Sequence, residues 1–416
     1  MIDYPNYLNK IFDKLEKDGA LCIIVGGFIR DYFFNTTSKD IDIEVYNIIS
    51  YDKLEEILRE FGNVNSFGKS FGVCKLTLND LEIDFTLPRE DSKIASGHTG
   101  FGINLKSNLD YITAASRRDF TINAIGYDVH NKKILDPFHG IKDLKNKILK
   151  AVDSDKFSDD PLRILRAVQF CARFDLTMDE ELFELCKKMI AANLLNELPK
   201  ERVFEEIKKL LIKSDKPSVG FKLLNKLGAL EYFSELGTLN EDNWIQVIET
   251  IDELAKHKTT NITTNTVLML AGVCHTFNEI LITNFISKLT NEKKLLQRVL
   301  SLVINQITTI KSNPELFRLA TKVNIEELII FNKAIYKHSN NKLYIICEEM
   351  EKQAKILNIL NKKASPILKG KDILACGIKE SKEFSTILKD AYEAQINGEF
   401  SSSVEGTKWL KKYLRI

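Results

Sequence analysis

The sequence predicts an α+β protein, a strand-bearing head followed by a long helical remainder. Up to about Ile134 apolar residues either alternate with polar ones or form short continuous runs, the signature of strands. Beyond Phe138 they recur at i, i+3 and i+4 almost without interruption, which is the helical period. At 416 residues the chain is too long for one ordinary core, and two to four domains are expected.

The elements follow in order. Leu21–Val25 (LCIIV) reads as a buried strand, closed by the pair Gly26-Gly27, and a short amphipathic segment carries Arg30 and Asp31. Asp40–Val45 (DIDIEV) alternates strictly, so as a strand it places Asp40 and Asp42 on one face and Ile41, Ile43 and Val45 on the other. Glu44 shares the acidic face, where a solvated edge is the plain reading. Two carboxylates side by side on a rigid strand repel unless a cation lies between them, and Mg²⁺, which prefers oxygen ligands, suits them. A glycine-rich turn beside that strand lets phosphates approach backbone N–H groups. Phosphate and metal are therefore expected together. Gly72–Leu78 and Leu81–Leu87 alternate in the same way, the second putting Glu82, Asp84 and Thr86 on its polar face. Arg89–Leu109 is polar and contains glycines, as surface loops do. Helices are expected over Arg163–Phe174, Glu180–Ala192, Val203–Leu211 and Phe221–Leu230. Ser158 is a plausible N-cap with Pro161 in the first turn, and Asp160 and Arg163 share one helix face. Ser214–Pro217, Gly237–Asn240 and Lys258–Asn265 are the best-marked candidate boundaries, with Ser312–Pro314 and Lys362–Lys371 weaker.

Composition narrows the class. An apolar content of 44% with 28% charged residues is that of a globular protein. The formal net charge is only +1, so any RNA contact must come from a local patch, such as Lys142, Lys145, Lys147 and Lys150. No stretch is long and apolar enough to span a bilayer, and the opening MIDYPNYLNK lacks a leader pattern, which suggests no membrane partner. The seven cysteines are odd in number with no C-x-x-C pair, which points to buried free thiols in a reducing cytoplasm; no zinc site is expected. The 8 prolines and 19 glycines argue against a disordered tail.

Gly26, Gly27, Arg30, Asp31, Asp40 and Asp42 together resemble the signature of the nucleotidyltransferase superfamily that includes DNA polymerase β, and more closely its class II branch of bacterial CCA-adding tRNA nucleotidyltransferases and poly(A) polymerases. The resemblance implies a polymerase β-like head with a mixed sheet, in which Asp84 would join Asp40 and Asp42 as the catalytic carboxylates and Asp40 and Asp42 would hold Mg²⁺. Ser96–Phe101 (SGHTGF) resembles the flexible loop of enzymes able to finish with A. Arg117–Ala124 (RRDFTINA) matches the motif RRDxxxNA, and Ala115-Ser116 precede it where relatives often carry an acidic residue. Its two guanidiniums offer donors to triphosphate oxygens, and Asp119 offers an acceptor to ribose hydroxyls. Asp136–Leu144 (DPFHGIKDL) resembles the head-to-neck motif DPxxGxxDL, with Asp143 placed to pair across the joint.

In Ser158–Ala167 the family motif D-D-x-x-R implies that Asp160 and Arg163 read the edge of the incoming base, so that side chains serve as the template. Asp159 stands where many relatives have Glu, and Leu198–Val203 (LPKERV) looks like the fifth, structural motif. Gly26, Gly27, Arg30, Arg118, Asp119, Asn123, Asp160, Arg163 and Arg166 are thus the expected nucleotide-binding residues. His275 is followed by Thr276, not by the Asp of relatives with a hydrolase domain, so no hydrolase metal site is expected. Leu368–Leu410 resembles the C-terminal segment of bacterial tRNA nucleotidyltransferases. The resemblance is strong over about residues 20–212 and weak at the end, and composition alone describes about 235–365. It implies a catalytic head (1–137), a nucleotide-selecting neck (138–215), a body (216–310) and a tRNA-binding tail (311–416). The function implied is addition of CCA to tRNA 3′ ends from CTP and ATP. The alternatives are a poly(A) polymerase and an RNA-binding protein with a vestigial head.

Overall fold

The computed structural model describes residues 2–36, 40–65, 72–78, 81–93, 101–362, 365–378 and 383–416, with the side chains of 90–93 and 101–105 excepted. The expected flexible loop at Ser96–Phe101 lies outside these residues, apart from the backbone of Phe101. The chain divides into two compact units, Met1–Leu210 with Val219–Ser234 and Leu211–Ser218 with Glu235–Ile416.

The first unit opens with α1 (Leu8–Lys17), β1 (Leu21–Val25), α2 (Gly27–Phe33) and β2 (Ile41–Tyr46). Then come α3 (Tyr51–Arg59), β3 (Asn63–Asn65), β4 (Val73–Leu78) and β5 (Leu81–Thr86). Strands β6 (Arg89–Lys93) and β7 (Phe101–Leu105) form a separate antiparallel ribbon, so the expected surface loop is in part a hairpin. After α4 (Tyr111–Ala115) and the 3-10 turn Thr121–Asn123, β8 (Gly126–Asp128) and β9 (Lys133–Leu135) return to the main sheet. Its order is β3-β4-β5-β2-β1-β8-β9, with β2 and β5 parallel and every other pair antiparallel. This is the expected mixed sheet.

Period explains the packing. Leu8, Ile11, Phe12 and Leu15 form the buried stripe of α1, and Tyr51, Leu54, Ile57 and Leu58 that of α3, whose first turn is capped by Ser50 accepting from Lys53 N–H. Along β2, Ile41, Ile43 and Val45 are buried as expected, but Glu44 and Tyr46 are buried too. The acidic face of β2 is therefore open only at its start, because α4 and the arginine pair that follows it cover the rest. Glu44 is not a solvated edge residue.

From α5 (Gly140–Lys145) the first unit is almost wholly helical: α6 (Ser154–Phe157), α7 (Leu162–Phe174), α8 (Glu180–Ala191), α9 (Lys200–Lys213) and α10 (Pro217–Lys226). Ser158 is the C-cap of α6, and the residue before α7 is Pro161; the carboxylate of Asp160, not the Ser158 hydroxyl, accepts a first-turn N–H. The expected helix over Phe221–Leu230 stops at Lys226, because the turn that follows holds Gly228 at φ +82°. Asp136 accepts the N–H groups of Gly140 (2.7 Å) and Ile141 (3.1 Å) and so closes the turn that starts α5.

In the second unit, helices run from Glu241–Ala255 to Ser403–Leu414. Asn240, Asn261, Asn278, Asn324 and Asn340 are N-caps whose side chains accept a first-turn N–H. The polar stretches at Gly237–Asn240 and Lys258–Asn265 thus contain helix caps. Among the described residues, no helix is long and apolar enough to cross a membrane. Six of the seven cysteines are buried, Cys376 is half-buried, and all are free thiols.

Candidate active site

Gly26 turns the chain between β1 and α2 at φ +68° and ψ −130°, a conformation closed to side chains with a Cβ. A Cβ there would come within 3.2 Å of Arg118 Nη1 and 3.5 Å of Asp42 Oδ2, so the turn is also the point where the arginine and the strand carboxylate draw together. Gly27 is the first residue of α2. In the sheet, Asp42 lies opposite Val25 on one side and Asp84 on the other. The parallel β2–β5 register thus brings the third expected carboxylate beside the second, and Asp40 stands exposed just before the strand. The Asp42 carboxyl is pushed up by partial loss of hydration; Asp84, Asp40 and Glu44 push the same way, against the pull of Arg118. Asp84 Oδ1 is buried without a hydrogen bond and lies 3.3 Å from the Lys75 ammonium on β4.

This donor set suits a hard divalent cation, with carboxylate oxygens crowded by their own charge and one of them lacking a hydrogen bond. Among the described residues, no three acidic, histidine or cysteine side chains close around a single point, so these are converging donors and not a closed cage.

Behind the carboxylates lies a second layer. Glu44, 1% exposed, accepts from Arg118 Nη2 (2.7 Å) and Arg117 Nη2 (3.1 Å) through Oε1 and from the Tyr46 hydroxyl (2.6 Å) through Oε2. Burial pushes its carboxyl up, but the Arg118 and Arg117 guanidiniums and the Tyr46 hydroxyl more than offset this and hold it below the usual range. Burial lowers the proton affinity of the half-buried Arg118, and the same carboxylate raises it. Glu44 completes a third Asp/Glu step in the DIDIE run, and that was its only signal in the sequence.

Asp119, 8% exposed, is saturated. Its Oδ1 accepts from Phe120 N–H and Asn123 Nδ2, both at 2.8 Å, and its Oδ2 accepts from Arg166 Nε and Nη2 at 2.7 and 2.6 Å. Asn123 Oδ1 in turn accepts from Arg30 Nη1 at 2.8 Å. Arg30 also binds Asp31 and lies over the rings of Phe170 (5.1 Å) and Phe174 (4.7 Å). Arg30, Asp119, Asn123 and Arg166 therefore form one buried network that ties α2, the 3-10 turn and α7 together. Four side chains expected at the nucleotide are thus bonded to one another.

Asp160 and Arg163 do not pair with each other. Asp160 Oδ2 accepts from Arg202 Nη2 at 2.8 Å, whereas Arg163 donates to the carbonyl oxygens of Lys156 (2.9 Å) and Arg117 (2.7 Å). The second bond joins the expected base-reading helix to the residue next to Arg118. Asp143 pairs across the joint as expected, accepting from Thr121 Oγ1 at 2.7 Å. Of the lysine cluster, Lys147 is paired with Asp175 and Lys150 lies 3.9 Å from Asp179.

Residues 22–150 match the family described as "Poly A polymerase head domain", and residues 175–238 match "Probable RNA and SrmB- binding site of polymerase A". These two segments are thus similar to the corresponding parts of poly(A) polymerases, and the chain is similar to proteins named for CCA addition. Among its relatives, the "Multifunctional CCA protein" of Haemophilus ducreyi is 34% identical over 210 residues, covering 50% of this chain and 48% of that protein. The "CCA-adding enzyme" of Buchnera aphidicola is 37% identical over 210 residues, again 50% and 48%. The chain thus spans about half the length of the curated relatives it matches. The CCA-adding enzyme of Bacillus stearothermophilus, solved with CTP, has a TM-score of 0.73 at 19% identity over 99% of this chain and 98% of that one, and so shares the fold. In this chain, the motifs seen in the sequence occupy the Gly26 turn, the facing ends of β2 and β5, and the starts of α7 and α9.

Proposed function

We propose that this chain adds C, C and A to the 3′ ends of tRNA from CTP and ATP, releasing pyrophosphate, and that it works in the cytoplasm. The observation that carries the reading is the junction at Gly26, where Asp42 and Arg118 meet beside the Asp42–Asp84 register. A transferring phosphoryl group needs oxygen donors for a cation and a fixed positive charge in one place, and this turn supplies both. The kinship with proteins named for CCA addition supports the choice of substrate, as does the shared fold with an enzyme solved with CTP.

Asp40 and Asp42, with Asp84 beside them, would hold Mg²⁺. When bound, such ions lower the pKa of an attacking hydroxyl and neutralise a departing pyrophosphate. The chain's own groups do the rest. Arg118, held in place by Glu44, donates to phosphate oxygens, and the Gly26 turn leaves room for them. Asp160 accepts from the exocyclic amine that cytosine and adenine both carry, while Arg163 donates to ring acceptors. The Arg30–Asn123–Asp119–Arg166 network holds these two groups of residues in register. In this reading residues 1–137 are the catalytic head, 138–215 the neck, 216–310 the body and 311–416 a tRNA-binding tail.

The test is incubation of the chain with tRNA lacking its 3′ end, with CTP, ATP or both. Extension by three residues and a stop is the expected result. Long A tracts would make the chain a poly(A) polymerase, and no extension would make the head a vestigial one.

A further inference from the structure

Arg202, in the first turn of α9, has no part in the chemistry described so far, yet it is tied to the residue that reads the base. A carboxylate meant to meet an exocyclic amine must present one oxygen in one direction, and a free Asp side chain rotates about two bonds. Asp160 is pinned at both oxygens. Oδ1 takes the Leu162 N–H at 3.1 Å, an anchor within its own segment, and Oδ2 takes Arg202 Nη2 at 2.8 Å, an anchor 42 residues away. Arg163 is held by other partners, the carbonyl oxygens of Lys156 and Arg117, and so does not fix Asp160. The side chains of Arg202 and Asp160 are 34% and 22% exposed, open enough for Asp160 to keep an unshared lone pair toward a ligand.

We propose that Arg202 is a positioning residue for nucleotide selection: it touches no nucleotide and fixes the carboxylate of Asp160 in the orientation that accepts the amine of C and A. This rests on the reading of Asp160 and Arg163 as the base-selecting pair. The competing account is an ion pair that only fastens the start of α9.

The experiment uses the full chain and two measurements, the affinity for each of CTP, ATP, UTP and GTP without tRNA, and the kcat and KM of single-nucleotide incorporation. In Arg202→Gln, affinity for CTP and ATP should weaken by about tenfold, with UTP and GTP little changed and the loss lying in KM. Arg202→Lys keeps the charge within reach of Asp160 and should restore part of the selectivity. In an Asp160→Ala background Arg202→Gln should add nothing further, since a residue acting through Asp160 has nothing left to orient. Two results would overturn the proposal: unchanged ratios among the four nucleotides with only a lower melting temperature, or an undiminished effect in the Asp160→Ala background. A wild-type chain with no preference for CTP and ATP would instead remove the base-reading assignment itself, and the proposal with it.

Discussion

Glu44 and Asp42 sit two residues apart on one strand and face opposite demands. Glu44 is buried under two guanidiniums, so Glu44→Gln removes the carboxylate that Arg117 and Arg118 share. Breaking a buried pair by removing one partner costs roughly 3 kcal/mol, and urea denaturation at neutral pH should show a loss of that size. The KM for nucleotides should rise as Arg118 loses its fixed position. Because the Glu44 carboxyl is held below its ordinary range, its stabilisation is complete above the unfolded-state value and is lost as pH falls through the lower folded one. Wild type and Glu44→Gln should therefore differ at pH 7 and converge in acid, and a variant gap that persists at low pH would count against this hub. Asp42 instead reaches solvent at the open end of β2, and in the proposed function its charge serves the chemistry rather than cohesion. Asp42→Ala, or Asp40→Ala, should abolish incorporation of CMP and AMP while leaving tRNA binding and the melting temperature nearly intact. Residual incorporation in either variant would remove the metal assignment.

Gly140 begins α5, and a Cβ there would lie 2.2 Å from the backbone oxygen of Thr121, a contact no rotamer change relieves. Asp143 on the same helix holds the Thr121 hydroxyl, so α5 is clamped against the turn that carries Asn123 and follows Asp119, and Thr121 N–H ties that turn to the Lys150 carbonyl beyond the helix. Gly140→Ala should cost about 1–3 kcal/mol, the usual range for forced overpacking. It should also slow incorporation, because the displaced turn adjoins the Asp119–Arg166 strut; a chemical-denaturation midpoint together with kcat checks both. A variant with lowered stability and normal kcat would show that the clamp serves the fold alone. The helices beyond Phe138 were legible from period, as α7 and α8 show, whereas α1 and α3 in the head were not. Helix ends were not always so: α10 stops at a turn set by one glycine.

Across the whole molecule, charge buried in the second unit adds an acid-sensitive contribution separate from that of the head. Glu253, 2% exposed, accepts from Lys256 and Lys337, both at 2.6 Å, and joins the helix Glu241–Ala255 to the end of Ile325–Tyr336. Burial pushes its carboxyl up, but the two ammonium groups bring it down to about 2. Its stabilisation is thus present above the ordinary glutamate range and fades as pH falls toward 2. Glu253→Gln should lower stability by roughly 1.5–3 kcal/mol at pH 7 and by progressively less in acid, which calorimetry at several pH values would reveal. The sequence by itself determined what is local: the strands with their Ile41–Val45 alternation, the helical period beyond Phe138, the glycine demanded at position 26, and the carboxylates Asp40 and Asp42. Those features depend on neighbours within a few residues, which a period or a turn conformation records. Only the tertiary structure decided that Asp84 lies beside Asp42, that Glu44 is buried under Arg117 and Arg118, and that Asp160 answers to Arg202 and not to Arg163. Those partners stand about 40 to 75 residues apart in the chain, and a hydrophobic or helical period carries no information on which distant charge will meet which once the strands take their register.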